Sequence, residues 1–168
     1  MKLHEVIDQR THVHLVMELC HGMSIFHHIK KQPETRLPEN TCREIFRQVM
    51  SGVAFMHGKG YAHRDMKLDN ILLDLAGTKQ VKILDFGFSV KINKGEKLGM
   101  QCGTPHYMDP DLVRKVPYNA LAVDVWACGI ILYIILVGTL PFFAEFETDL
   151  FRKIQGGKYA TIPAEVGS

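Results

Sequence analysis

One short stretch of the sequence combines residue types that can move a proton and bind a phosphate. His63-Arg64-Asp65-Met66-Lys67-Leu68-Asp69-Asn70 brings carboxylates, cations and a carboxamide together in eight residues. Asp65 can accept a proton or orient a hydroxyl, and Lys67 places a cation beside it for a phosphate. Any one of these residues alone is most simply a solvated loop residue, so the interpretation depends on the rest of the pattern.

A second acidic motif, Asp85-Phe86-Gly87, completes that pattern. Two apolar segments, 71–73 and 81–84, lie between the two motifs and predict a β-hairpin. The hairpin would bring Asn70 and Asp85 close in space. A carboxylate and an amide oxygen are hard ligands of the kind that Mg²⁺ selects. Together the residues fit phosphoryl transfer, with Asn70 and Asp85 as metal ligands.

The elements that must position these residues are predicted to be mostly helical. Hydrophobic patterning gives two paired strands, two helices, the hairpin, a long loop and two further helices. The predicted bounds are 3–7 and 13–19 for the strands, 24–31 and 38–58 for the first helices, a hairpin turn at Gly77-Thr78, 85–117 for the loop, and 124–137 and 148–155 for the last helices.

Two helix starts rest on single residues. Pro38 suits the first helical position, because its missing N–H has no partner there in any case. Asp124 suits an N-cap directly before the apolar run 125–144. That run reaches the length of a membrane span, but Gly138 and Pro141 interrupt it, which favours the buried centre of a globular domain over a transmembrane helix.

Composition limits the class of protein. The 168 residues suggest one domain, and a net charge of +2 argues against nucleic acid or an anionic membrane as the main partner. The four cysteines form no Cys-x-x-Cys pair, and the N-terminus lacks the basic and apolar segments of a signal peptide. We therefore expect free thiols and an intracellular protein, in the cytoplasm or alternatively the nucleus.

The two motifs resemble the eukaryotic protein kinases, with Met66 in place of the leucine of the signature H-R-D-L-x-x-x-N. Further segments extend the resemblance along the chain: Val16-Met17-Glu18-Leu19-Cys20, Cys102-Gly103-Thr104-Pro105-His106-Tyr107-Met108 and Asp124-Val125-Trp126. Lys67 and Thr104 are similar to those of serine/threonine kinases, and 151–159 resembles the calcium/calmodulin-dependent and AMP-activated group. The resemblance implies an α+β kinase-like fold, mostly the helical C-lobe with two N-lobe strands and the hinge.

The resemblance also implies roles for individual residues. Asp65 would be the catalytic base, Lys67 would steady the γ-phosphate, and Asn70 and Asp85 would hold Mg²⁺. The ATP-binding residues implied are Met17 as gatekeeper, the backbones of Glu18 and Cys20 at the adenine, Leu72 beneath it, Ser24 at the ribose position, and Asp69 beside the metal ligand Asn70.

The chain also departs from the family pattern. Residues 1–22 are expected to be an N-lobe remnant and 23–168 a C-lobe that stops before its last helices. The 168 residues contain no glycine-rich phosphate loop followed by a strand lysine, so we expect this segment alone to be a poor catalyst. Two functions stay open on these grounds: a serine/threonine kinase acting on protein substrates, or a pseudokinase that serves as a binding scaffold.

Regulation is the last expectation. In the family, an arginine at the position of Arg64 binds a phosphate on the activation segment, which lies between Asp85-Phe86-Gly87 and Cys102 here. Met100 occupies the usual phosphorylation position and cannot carry a phosphate. We expect the segment to be held by an Arg64–Glu96 ion pair or ordered by a regulatory protein partner; the simplest alternative is a solvated Arg64.

Overall fold

Short antiparallel strands frame a set of helices. The computed structural model describes residues 1–74, 80–164 and 166. The strands are β1 Leu3–Asp8, β2 Val13–Met17, β3 Gly22–Ser24, β4 Tyr61–Ala62, β5 Ile71–Asp74, β6 Val81–Ile83 and β7 Val90–Lys91. The helices are α1 Ile25–Lys30, α2 Glu39–Gly58, α3 Pro110–Arg114, α4 Ala120–Val137 and α5 Glu147–Gly156.

Both predicted strand pairs are confirmed. β1 pairs antiparallel with β2, and β5 pairs antiparallel with β6. The predicted turn at Gly77-Thr78 lies outside the described residues. A short strand that the sequence analysis missed, β3, adds to this hairpin in the order β3-β5-β6. Gly22 permits the pairing, since a Cβ there would lie 2.0 Å from the carbonyl oxygen of Leu73. The predicted domain boundary between residues 22 and 23 falls inside β3.

The central helix α4 starts earlier than predicted. Its N-cap is Asn119, whose side chain accepts a hydrogen bond from the N–H of Leu121. The prediction of Asp124 as the N-cap is wrong, because Asp124 lies inside the helix, fully buried. Pro38 likewise stands one position before α2, as its N-cap residue.

Apart from Asp124, helix α4 is almost entirely apolar because it runs through the core. It is long and apolar enough to cross a membrane, with a mean hydropathy of 2.4, yet half of it is buried within the protein. Its buried residues join those of α2 in the main core. The N–H of Leu37 and the thiol of Cys42 both donate to the carbonyl of Ile135, so one carbonyl of the last turn of α4 is bonded to the region where α2 begins.

The segment predicted as one long loop contains ordered elements. β7 pairs with β4, and α3 begins at the N-cap Asp109, which accepts from the N–H of Leu112. Single helical turns occur at Phe86–Phe88 and Pro105–Tyr107. The prediction of an element-free loop over 85–117 is therefore wrong. Elements of two to five residues are too short to show a hydrophobic period in the sequence. Tertiary contacts determine whether such elements form.

Candidate active site

Three side chains converge on one buried carboxylate. Asp65 is only 5% exposed. Its Oδ2 accepts from Nζ of Lys67 at 2.7 Å and from Nδ2 of Asn70 at 3.2 Å, and its Oδ1 accepts from Oγ1 of Thr104 at 2.8 Å. Lys67 Nζ also donates to Thr104 Oγ1 at 3.2 Å. The structure thus brings together the base and the cation predicted from sequence and adds Thr104.

The loop that carries Asp65 is fixed from beneath by α4. Asp124 accepts from the backbone N–H groups of His63 and Arg64, both at 2.8 Å, and from Nε2 of His57 at 2.8 Å. Arg64 has a φ of 67°, a left-handed conformation that is uncommon outside glycine. The two accepted N–H groups stabilise this bend, which sets the direction in which Asp65 leaves the loop.

The metal ligands predicted from sequence are joined through the hairpin. The N–H of Leu84 donates to the carbonyl of Asn70 at 2.8 Å, which places Asn70 and Asp85 at the same end of β5 and β6. Asn70 turns its amide nitrogen toward Asp65, with a second bond of 2.9 Å to the Asp65 carbonyl, so its amide oxygen is the atom left to coordinate a cation. Asp85 is exposed, and its Oδ1 accepts from the N–H of Gly87. This donor set of one carboxylate and one amide fits Mg²⁺.

The motif that contains the predicted metal ligand Asp85 packs against the loop that carries Asp65. The rings of His63 and Phe86 lie with centroids 5.1 Å apart. Nε2 of His63 donates to the carbonyl of Leu84 at 2.9 Å. His63 therefore connects the loop that carries Asp65 to the strand end that carries Asp85.

The residues predicted to contact the nucleotide include a group on neighbouring strands. Ser24 pairs with Leu72 across β3 and β5, and Leu72 pairs with Lys82 across β5 and β6. Nζ of Lys82 binds the carboxylate of Glu18 at 3.0 Å, so the segment after β2 is tied to the strand next to the one that carries Leu72. This ion pair lowers the pKa of Glu18 and raises that of Lys82.

Three other residues predicted to contact the nucleotide lie outside this group of neighbouring strands. Met17 ends β2 and is 47% exposed. Cys20 is half-buried in the segment between β2 and β3, and its thiol donates to the sulfur of Met1 at 3.6 Å. Asp69 lies exposed in the helical turn Leu68–Asn70, and among the described residues no side-chain hydrogen bond joins it to the other predicted site residues. The roles of these residues stay predictions.

The predicted Arg64–Glu96 ion pair is wrong. The carboxylate of Glu96 accepts from the backbone N–H and the side-chain amide of Asn93, both at 2.9 Å. Nε of Arg64 donates instead to the carbonyl of Phe88 at 2.7 Å, and its Nη1 to the hydroxyl of Tyr118 at 3.3 Å. The prediction paired Glu96 with Arg64 by charge, but the Glu96 carboxylate instead accepts hydrogen bonds from Asn93, three residues earlier in the same loop.

Two tyrosines near the site had no assigned role in the sequence analysis. Tyr107 follows Thr104 in the same segment, and burial raises its pKa to about 12, so the phenol stays neutral beside Asp65. Tyr118 was missed altogether, because a lone tyrosine before a helix gives no signal in the sequence. Thr104 was visible in its motif, but its bond to Asp65 needed the fold.

Comparison with known proteins agrees with these observations. The sequence model of the protein kinase domain matches residues 1–164. Serine/threonine protein kinase OSK3 of Oryza sativa subsp. japonica is 41% identical over the whole chain, and sperm motility kinase 3A of Mus musculus is 38% identical over the same 168 residues. The chain spans 32% of the length of each of these relatives. With its kinase motifs gathered around Asp65, the chain belongs to the protein kinase domain family.

Proposed function

We propose that the protein transfers the γ-phosphoryl group of ATP to serine and threonine hydroxyls of protein substrates. The observation that carries the proposal is the buried Asp65 carboxylate held between Lys67 and Thr104. A carboxylate beside a fixed cation can serve a hydroxyl nucleophile and an anionic phosphoryl group at once. The relatives OSK3 and OSK4 of rice are named serine/threonine protein kinases, which supports the same class of acceptor.

In the proposed reaction, the substrate oxygen forms a bond to the γ-phosphorus while the bond to the β–γ bridging oxygen breaks and ADP leaves. Asp65 orients the hydroxyl and accepts its proton. Lys67 offsets negative charge on the transferred phosphoryl oxygens. Thr104 holds Oδ1 of Asp65 and so limits how the carboxylate can rotate.

Cofactor binding follows from the same residues. Asn70 and Asp85 would hold Mg²⁺, whose charge offsets that of the ATP phosphates. The backbones of Glu18 and Cys20 would meet the adenine, with Met17 and Leu72 beside it. Ser24 and Asp69 would face the rest of the nucleotide. We propose the cytoplasm as the place of action.

The test uses the full-length protein with Mg–ATP and peptides that carry serine, threonine or tyrosine. We expect phosphate on serine or threonine, and a decrease in kcat of about 100-fold or more in Asp65→Asn, because a positioned base contributes about that much. Glu145→Gln, at an exposed position of the same protein, is the matched control and should keep the wild-type rate. Binding of Mg–ATP without any transfer would contradict the proposal and favour the pseudokinase alternative, and transfer to tyrosine alone would contradict the assigned acceptor.

A further inference from the structure

A buried tyrosine outside the kinase motifs contacts the activation segment. Tyr118 lies two residues before α4 and is 1% exposed. Its hydroxyl donates to the carbonyl of Met100 at 2.6 Å and accepts from Nη1 of Arg64 at 3.3 Å. A buried phenol needs a partner for its hydroxyl, and this one has two, one in the activation segment and one in the loop that carries Asp65.

The backbone of Tyr118 holds the same stretch of the segment. The N–H of Leu98 donates to the Tyr118 carbonyl at 2.9 Å, and the N–H of Tyr118 donates to the Leu98 carbonyl at 3.0 Å. The ring itself is packed in a second core cluster with Leu112, Val123 and other apolar residues. Residues 98–100 are therefore fastened by three hydrogen bonds to a side chain and backbone that cannot easily move.

Arg64 connects this point to the beginning of the segment. Its Nε donates to the carbonyl of Phe88 at 2.7 Å, directly after the metal-binding motif. One guanidinium thus spans Phe88 at one end and Tyr118 at the other. In the described part of the chain no carboxylate forms an ion pair with Arg64, and both of these hydrogen bonds go to uncharged oxygens.

The fastened stretch leads straight to the catalytic carboxylate. Met100 precedes Thr104 by four residues, and the hydroxyl of Thr104 donates to Asp65. Between them, Gly103 crosses so close to the catalytic loop that a Cβ would lie 3.0 Å from the carbonyl oxygen of Arg64. Four residues of backbone, held against the loop at Gly103, therefore connect Met100 to the hydroxyl that binds Asp65.

We infer that Tyr118 is a positioning residue: its hydroxyl joins Arg64 to Met100 and fixes the activation segment over Asp65. A phosphate on the segment would bind Arg64 through its charge, whereas Tyr118 does so through an uncharged hydroxyl. The inference rests on the proposed kinase function. It means that the segment needs no phosphate between Lys91 and Gln101, an interval that contains no serine, threonine or tyrosine.

The substitution Tyr118→Phe in the full-length protein isolates the hydroxyl, because the ring keeps its place in the core. Tyr133→Phe is the matched control: it also removes a phenol-to-backbone bond, from Tyr133 to the carbonyl of Ala160 at 2.9 Å, but on the far part of α4. We expect kcat to decrease about tenfold in Tyr118→Phe, as loss of a hydrogen bond to a charged group predicts, with little change in the KM for ATP. The control should keep both values.

A second readout does not depend on activity. Trypsin can cut after Lys91, Lys94 and Lys97, which are exposed in the segment. We expect brief digestion to cut there faster in Tyr118→Phe than in the wild type and in Tyr133→Phe. Equal cutting rates with unchanged kcat would overturn the inference. Faster cutting in a protein that has no kinase activity would contradict the proposed function while supporting the positioning role.

Discussion

The carboxylate of Asp124 accepts a hydrogen bond of 2.8 Å from the backbone N–H of Arg64. The two residues lie 60 positions apart in the chain, and the bond connects the central helix to the loop that carries Asp65, the predicted catalytic base. Because Arg64 has a left-handed backbone, this bond holds a conformation that would otherwise be costly. The geometry of Asp65 therefore depends on a residue that is fully buried beneath its loop.

The first prediction concerns this buried acceptor. Asp124→Ala leaves the N–H groups of His63 and Arg64 and the ring of His57 without their acceptor, so we expect a loss of about 3 kcal/mol or more in the free energy of unfolding. Urea unfolding measures it. Asp149→Asn, in an exposed pair with Arg152, is the control and should change stability by less than about 1 kcal/mol. Equal losses in the two variants would contradict the assigned role of Asp124.

The second prediction concerns the metal ligands. Mg–ATP should raise the melting temperature of the full-length protein, because a ligand that binds only the folded state stabilises it by mass action. We expect Asp85→Asn to remove the Mg²⁺-dependent part of the shift and Asp65→Asn to keep it. Asparagine suits position 85, where φ is 58°, because it tolerates the left-handed region. Equal shifts in the two variants would show that Asp85 is not a ligand.

The third prediction concerns the four free cysteines. Burial raises the pKa of Cys42 to about 11 and that of Cys128 to about 12, so at neutral pH these thiols stay protonated and unreactive. We expect iodoacetamide to label Cys20 and Cys102, both half-buried, in the folded protein. Cys42 and Cys128 should react only in denaturant. Peptide mass mapping identifies the labelled cysteines. Labelling of Cys42 in the folded protein would contradict the prediction and show that the start of α2 is accessible to solvent.

The fourth prediction concerns the N-cap of α3. Asp109 accepts from the N–H of Leu112 at 2.9 Å, and burial raises its pKa. Asp109→Ala removes the cap and should cost about 1 kcal/mol in the free energy of unfolding, whereas Asp109→Asn keeps an acceptor and should cost less. Urea unfolding of the two variants measures both costs, and equal costs would contradict the capping role.

The pH dependence of the same cap follows from the direction of the pKa. The folded protein binds the Asp109 proton more tightly than the unfolded chain does, so its contribution to stability falls as pH rises between the ordinary and the raised pKa. An asparagine side chain cannot titrate, and we expect the Asp109→Asn variant to gain stability relative to the wild type as pH rises through that interval. Urea unfolding from about pH 4 to about pH 7 covers the interval for a carboxyl group. A relative stability of the variant that falls with rising pH would contradict the assignment.

The sequence predicts the parts of this fold that have a period or a motif. The apolar repeat of α2 and the apolar segments of the hairpin predict where these elements begin and end. The motif around Asp65 indicates phosphoryl transfer. Asp124 shows where this reasoning stops. A carboxylate before an apolar run is typical of an N-cap, and only the folded chain reveals that its partners are the N–H groups of His63 and Arg64. Tyr118 is a similar case, because its contacts to Arg64 and Met100 are set by tertiary packing and leave no local pattern.

The apolar surface of α4 has a consequence for synthesis of the protein. A helix of mean hydropathy 2.4 that is released before its partners would attract membranes or other unfolded chains. Its main partner α2 precedes it, and about 80 residues separate the C-terminal end of α2 from the C-terminal end of α4. At a translation rate of about 5–20 residues per second, α2 leaves the ribosome about 4–16 s earlier and has time to form. The order of the chain thus shortens the time for which α4 is exposed. The surface that α4 packs against, including Leu37 and Cys42 at its last turn, is synthesised before α4.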